Sequence, residues 1–162
     1  MFIDLNCDLG EGAGHDAELL PLLTSANVSC GAHAGTLEQI AATLAGCAKY
    51  GVVVGAHPGY ADRENFGRRE MSFSTQEVID LCEQQITQLR LLANQTGTKL
   101  RYLKPHGGLY HQAMRDDSYA TGIVSAATQA GLALIGLPGS RLEICAQGHT
   151  PFFAEGFADR RY

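Results

Sequence analysis

The stretch Ser25-Ala26-Asn27-Val28-Ser29-Cys30-Gly31-Ala32-His33-Ala34-Gly35 ends in a Gly-Ala-His-x-Gly signature. It returns 24 residues later as Gly55-Ala56-His57-Pro58-Gly59. Each signature follows a short apolar run, residues 26–30 and 52–54, that reads as a strand. Between them Thr36 and Gln39 form a capping box, and the helix it opens stops at Gly51, a residue suited to the left-handed C′ position. Strand, histidine loop, capped helix and strand make a βαβ unit, so the strands are expected to be parallel, with right-handed crossovers.

The same alternation extends in both directions. Residues 2–7, 100–103, 132–135 and 151–154 read as further strands. A capping box at Ser74 and Glu77 opens a helix with Val78, Leu81, Cys82, Ile86, Leu89 and Leu92 on one stripe, ending near Gly97. Asp116 or Asp117 caps a third helix that stops at Gly131. The fold class is α/β, as either a parallel barrel or an open doubly wound sheet. A third member of the histidine set, Lys104-Pro105-His106-Gly107-Gly108, follows the fourth strand, 49 residues after the second. All three histidines are expected just after strands, on the rim where parallel α/β folds build their chemistry.

Composition narrows the function. The 162 residues carry 12 Lys+Arg against 17 Asp+Glu, a formal charge of −5. That balance, without a basic run, argues against nucleic acid or an anionic membrane as the main partner. No run approaches the ~18 apolar residues of a membrane span, and the first residues do not resemble a signal peptide. Five cysteines without a C-x-x-C pair fit reduced thiols and a cytoplasmic setting. Glycine, 19 of 162, is in excess of the usual ~7% and falls largely in the rim loops.

The first strand leads into Asn6-Cys7-Asp8-Leu9-Gly10-Glu11-Gly12, which puts two carboxylates on the histidine rim. Carboxylates beside imidazoles suit acid–base work or a divalent cation. The other reading is that Asp8 and Glu11 cap loops and the histidines bond backbone carbonyls. Five such residues in similar settings favour the functional reading. Arg68 and Arg69, Lys104, and the terminal Glu155, Asp159 and Arg160 form a second group able to clamp a carboxylate or phosphoryl group. For Arg68 and Arg69 a solvated surface, or ion pairs with Asp62 and Glu64, is an equal alternative. There is no P-loop, no H-E-x-x-H and no G-x-S-x-G elbow, and Gly10-x-Gly12-x-Gly14 is not a dinucleotide fingerprint.

Six segments together resemble the LamB/YcsF family. They are residues 3–12, 25–35 and 55–60, Phe66-Gly67-Arg68-Arg69, Lys104-Pro105-His106-Gly107-Gly108-Leu109-Tyr110, and Glu155-Gly156-Phe157-Ala158-Asp159-Arg160. Ala32 stands where the family commonly has an aromatic residue, and Gly108 where it has alanine. The resemblance implies a seven-stranded (β/α) barrel of the glycoside hydrolase/deacetylase type, with about six strands present here. Residues 1–162 would then be a single barrel domain shortened at its C-terminus, its missing part absent or supplied by another copy or subunit. It further implies the A subunit of an ATP-dependent 5-oxoprolinase, opening the lactam of 5-oxo-L-proline to L-glutamate with B and C subunits, and ATP as co-substrate.

That reaction needs a base for water, cations for phosphoryl charge and donors for an oxyanion. Asp8, or failing that Glu11, is the expected base. His33, His57 and His106 would polarise or shuttle protons, Lys104 would neutralise phosphate, and Arg68 and Arg160 would hold the substrate carboxylate. Two alternatives stand beside this. One is a metal-dependent hydrolase or deacetylase with Asp8, His33 and His57 as ligands. The other is a non-catalytic subunit that binds substrate or partners.

Overall fold

The structure, a computed structural model, describes residues 3–158. Six strands lie side by side in chain order: β1 (Asn6–Leu9), β2 (Ser25–Ser29), β3 (Val53–His57), β4 (Leu100–Leu103), β5 (Ala133–Gly136) and β6 (Phe152–Ala154). The helices are α1 (Asp16–Leu19), α2 (Leu37–Tyr50), α3 (Thr75–Gln95), α4 (Gly107–Arg115), α5 (Asp117–Ala130) and α6 (Arg141–Ala146). Every adjacent strand pair is parallel. A doubly wound sheet reverses its strand order at a switch point, and this sheet does not. Same-handed crossovers then keep the helices on one side, and the sheet curls into a half-barrel.

The long helices form where their signals stand. Both capping boxes are complete, with Thr36 and Ser74 accepting from the backbone of Gln39 and Glu77. Asp116 caps α5 through the Ser118 N–H, and Gly51 and Gly131 close α2 and α5 in the left-handed conformation. Such caps contribute about 1 kcal/mol each.

Three expectations need correction. Strand β1 begins at Asn6 rather than at residue 2, because pairing starts where Asn6 meets Ser25; Ile3 is exposed, and Phe2 lies outside the described residues. His57 belongs to β3 instead of following it, since pairing with β2 continues to the Ser29–His57 register. The glycines after His106 do not extend a loop but open α4, where Gly108 packs so closely on the Arg69 carbonyl that a Cβ would stand 2.7 Å from it. The short α1 and α6 carry too little periodicity to have been read from the sequence.

The two faces of the sheet differ. Ala26, Val28, Val54, Ala56, Leu103 and Leu134 are fully buried and join the apolar core with Ile40, Leu44, Ile86, Leu89 and Ile123 of the helices. A buried Leu, Ile or Val contributes about 1.5–3 kcal/mol, so this layer holds the helices on. The opposite face is polar. Asn6 Nδ2 donates to Ser25 Oγ (2.7 Å) and to the Tyr102 hydroxyl (3.0 Å), and Asn27 Nδ2 donates to Asp8 Oδ1 (2.6 Å). The half-barrel interior is thus a hydrogen-bonded network leading to the C-terminal rim. No helix among the described residues is long and apolar enough to cross a membrane.

Candidate functional site

The rim gathers residues from two strands and three connections: Asp8 from β1, Glu11 from the loop after it, His33 after β2, His57 at the end of β3, and Lys104 and His106 after β4. Glu11, His33, His57 and His106 each present a ligand atom within 4.8 Å of the others. Glu11 Oε1 is the hub, 3.0 Å from His33 Nε2, 3.4 Å from His106 Nδ1 and 3.8 Å from His57 Nε2. His57 Nε2 and His106 Nδ1 are 3.0 Å apart. His33 and His106 stack with ring centroids 3.8 Å apart and planes 4° from parallel. All three imidazoles are buried.

Backbone fixes the rings from behind. His57 Nδ1 donates to the Lys104 carbonyl (2.7 Å) and His106 Nε2 to the Phe66 carbonyl (2.8 Å). Phe66 is the non-glycine residue with positive φ, 55°, among those described, a conformation that turns this carbonyl onto His106. Gly67 follows with φ 64°, and a Cβ there would stand 2.7 Å from His33 Cβ, so only glycine lets this chain close over the ring. Arg63 binds the other loop, donating from Nη1 to the Gly31 carbonyl (2.6 Å) and from Nη2 to that of Gly35 (2.7 Å). One segment, residues 63–67, therefore positions both His33 and His106.

A second cluster adjoins the first. Lys104 Nζ lies 3.3 Å from Asp8 Oδ1 and 3.0 Å from Glu155 Oε2, and the Tyr110 hydroxyl donates to Glu155 Oε1 (2.8 Å). Asp8 Oδ2 is 3.5 Å from His57 Nε2, which joins the two clusters. With 38% of its side chain exposed, Asp8 is the most accessible carboxylate of the centre.

Protonation follows from these contacts. Burial alone would raise the Asp8 carboxyl, but His57, Lys104 and the Asn27 amide hold it far below the carboxylate range. Glu11 is lowered too, its burial outweighed by the His33 bond and the imidazoles. Burial lowers His33 against the pull of Glu11. His106 is lowered to about 4 by burial and by its two histidine neighbours. For His57 the desolvation is overcome by Asp8, and it is raised. Lys104 is likewise raised by Asp8 and Glu155 despite its burial. The centre thus holds fixed anions, two imidazoles kept neutral, and one imidazole with enhanced basicity.

The structure brings Asp8, Glu11, His33, His57, His106, Lys104 and Glu155 together. It does not bring Arg68 and Arg69 in: both are exposed, Arg68 sits over the Phe66 ring at 5.2 Å, and neither forms an ion pair among the described residues. Asp159 and Arg160 lie outside the described residues. The compact donor set is Glu11 with three histidines; Asp8 stands beside it, in contact with His57 alone of the three rings. Sequence reading did not single out Arg63, the Phe66 carbonyl, Asn27 or Tyr110. Phe66-Gly67 was the legible signal for the segment, but backbone carbonyls leave no trace in residue type. All five cysteines are free, and burial pushes the thiol of Cys30, just after β2, up to about 12, far from a nucleophile.

Fold and site together define a parallel (β/α)-barrel-type protein with a histidine–carboxylate centre at the C-terminal strand ends. The chain belongs to the LamB/YcsF family, whose model matches residues 3–162. It is similar to the A subunit of 5-oxoprolinase from Neisseria meningitidis serogroup C (strain 053442), 43% identical over 163 residues, covering 99% of this chain and 66% of the relative. The A subunit of 5-oxoprolinase from Paracidovorax citrulli (strain AAC00-1) is 45% identical over 170 residues, covering 100% of this chain and 68% of that protein. The crystal structure of lactam utilization protein from Thermus thermophilus superposes with a TM-score of 0.96 at 39% identity, over 100% of this chain and 69% of that one. The chain thus spans about two thirds of the length of these relatives.

Proposed function

We propose that this chain is the lactam-opening component of a cytoplasmic, ATP-dependent 5-oxoprolinase, working on 5-oxo-L-proline with B and C subunits. The observation that carries the reading is the joining of an ionised, accessible carboxylate, Asp8, to a buried imidazole cluster through His57, in a chain related to proteins named as the A subunit of 5-oxoprolinase. A five-membered lactam is a stable amide, and transfer of the ATP γ-phosphoryl to its oxygen activates the carbon. Water then adds to that carbon, and the C–N bond breaks as the nitrogen takes a proton. A second water hydrolyses the resulting acyl phosphate to glutamate and phosphate.

In this scheme Asp8 orients the attacking water but is too acidic to keep its proton. His57, whose basicity Asp8 raises, accepts it, and His106 and Glu11 extend the relay. Lys104 is held between two carboxylates, so its task is to fix Asp8 and Glu155 in place rather than to neutralise phosphate alone. Arg68 and Arg69, exposed and without an ion pair among the described residues, lie outside the cluster and are open to a phosphoryl or carboxylate group at the surface. The chain lacks a P-loop, so nucleotide binding is assigned to the assembled enzyme.

The test is glutamate release from 5-oxoproline and ATP by this chain, and by a longer form with the length of its relatives, each with and without B and C subunits. The His57→Ala complex is expected to lose at least a hundredfold in turnover, in line with the ~10²–10⁴ of general acid–base catalysis. Turnover unchanged in a His57→Ala/His106→Ala complex would sink the catalytic reading and leave only a substrate-binding role.

A further inference from the structure

We propose that Glu11, His57 and His106, with His33 beside them, form a binding site for one divalent first-row transition cation of the zinc type. Two ring nitrogens face away from the cluster. His57 Nδ1 and His106 Nε2 each lie within 2.8 Å of a backbone carbonyl, and a carbonyl oxygen only accepts. Both nitrogens therefore carry their ring's hydrogen. In the neutral rings the opposite nitrogens, His57 Nε2 and His106 Nδ1, are bare lone pairs, yet they point at each other across 3.0 Å. The Glu11 Oε1 lone pairs enter the same space. Three acceptors converge with no donor among them, an arrangement that demands a positive species at its centre.

Size identifies that species. The three atoms form a triangle with sides of 3.0, 3.4 and 3.8 Å. The point equidistant from its corners, its circumcentre, lies about 2.0 Å from each, which matches zinc–nitrogen and zinc–carboxylate bonds of ~2.0–2.2 Å. Calcium needs longer bonds and more oxygens, and magnesium prefers oxygen and water. Imidazole nitrogens with one carboxylate select the borderline transition metals. The carbonyls behind His57 and His106 are the outer partners that fix ring orientation in metal sites. His33 Nε2, 3.0 Å from Glu11 Oε1, stands next to this triad as a fourth donor or as a hydrogen-bond donor to Glu11. Its Nδ1 has no partner among the described residues, so Glu11 and the cluster are what hold this ring.

With the cation bound, His57 Nε2 and His106 Nδ1 are ligands and take no proton, so the metal site and the acid–base scheme describe alternative states of one centre. The competing occupant of the centre is a proton shared by His57 and His106, and metal content separates the two. The protein is stripped with chelator, dialysed against Zn²⁺ or Co²⁺, and assayed by elemental analysis and visible absorption. One equivalent per chain is expected, with cobalt d–d bands, and Zn²⁺ is expected to raise the melting temperature. Glu11→Gln and the His57→Gln/His106→Gln double variant are expected to lose the equivalent, the bands and the zinc-dependent shift. Circular dichroism confirms that each variant is folded, and Glu11→Gln, nearly isosteric, serves if the double variant is not. Substoichiometric metal in the folded wild type, or an equivalent retained by a folded variant, overturns the site. Failure here with glutamate formation intact would leave the acid–base scheme standing.

Discussion

Lys104 and Glu155 meet at the C-terminal rim of the half-barrel, Nζ 3.0 Å from Oε2, and couple the residue after β4 to the residue after β6. Both side chains are largely buried, and Tyr110 holds the second Glu155 oxygen. Removing one partner of such a pair leaves a desolvated charge behind. Lys104→Met is expected to cost about 3 kcal/mol, whereas Lys104→Met/Glu155→Gln should cost clearly less than the sum of the single changes. Urea midpoints of the four proteins measure this, and strict additivity would show that the ion pair does not couple them.

Asp8 and His57 make the metal-free protein pH-sensitive in a defined window. His57 is raised in the folded state, so its contribution is fully present below the unfolded value of about 6.5 and is lost as pH rises through the folded value. Asp8 is lowered, so its contribution is present above the unfolded value of about 3.9 and is lost as pH falls towards the folded one. Their joint contribution is greatest between about pH 4 and 6.5. Melting curves with chelator present are expected to show the largest loss for Asp8→Asn in this interval. A deficit that is constant from pH 4 to 9 would contradict the linkage.

Tyr102 lies across Gly55 on the neighbouring strand, so close that a Cβ at 55 would stand 2.0 Å from the ring. The Tyr102 hydroxyl accepts from Asn6 and supports the interior network. Gly55→Ala is expected to destabilise by about 1–3 kcal/mol through overpacking. In Gly55→Ala/Tyr102→Leu the two effects should be less than additive, because the smaller side chain vacates the clash. Thermal denaturation of the cycle is the check.

Arg63 bridges two carbonyls of the His33 loop while its own segment presents Phe66 to His106. Arg63→Ala is expected to lower cobalt affinity about tenfold, the lower end of the effect of losing an outer-shell partner. Arg63→Lys should not restore it, because a single ammonium cannot reproduce the planar fork. Titration followed by absorbance measures the affinity, and equal binding by all three proteins would remove Arg63 from the positioning of the centre.

The repeated Gly-Ala-His-x-Gly signature, the two capping boxes and the stop glycines were sufficient to place α2, α3, α5 and most of the strands, because these signals are local and act through adjacent backbone. The rim location of Asp8, Glu11 and the three histidines was legible for the same reason, since a residue after a parallel strand has few places to go. What failed depended on contacts distant in sequence. The start of β1 depends on where β2 offers a partner, and the glycines of α4 are tolerated because the Gly67 and Arg69 carbonyls fill the space their side chains would take.

By itself, the sequence determined the alternating α/β pattern, the loops carrying the chemistry and the residue types available there. Tertiary structure decided between barrel and doubly wound sheet, because strand order depends on pairings between distant segments. It also decided that Lys104 is engaged by Asp8 and Glu155, and that Arg68 stays outside the cluster. Finally, it aimed two bare ring nitrogens at one carboxylate oxygen, since a histidine's tautomer is set by whichever carbonyl the folded chain places behind it.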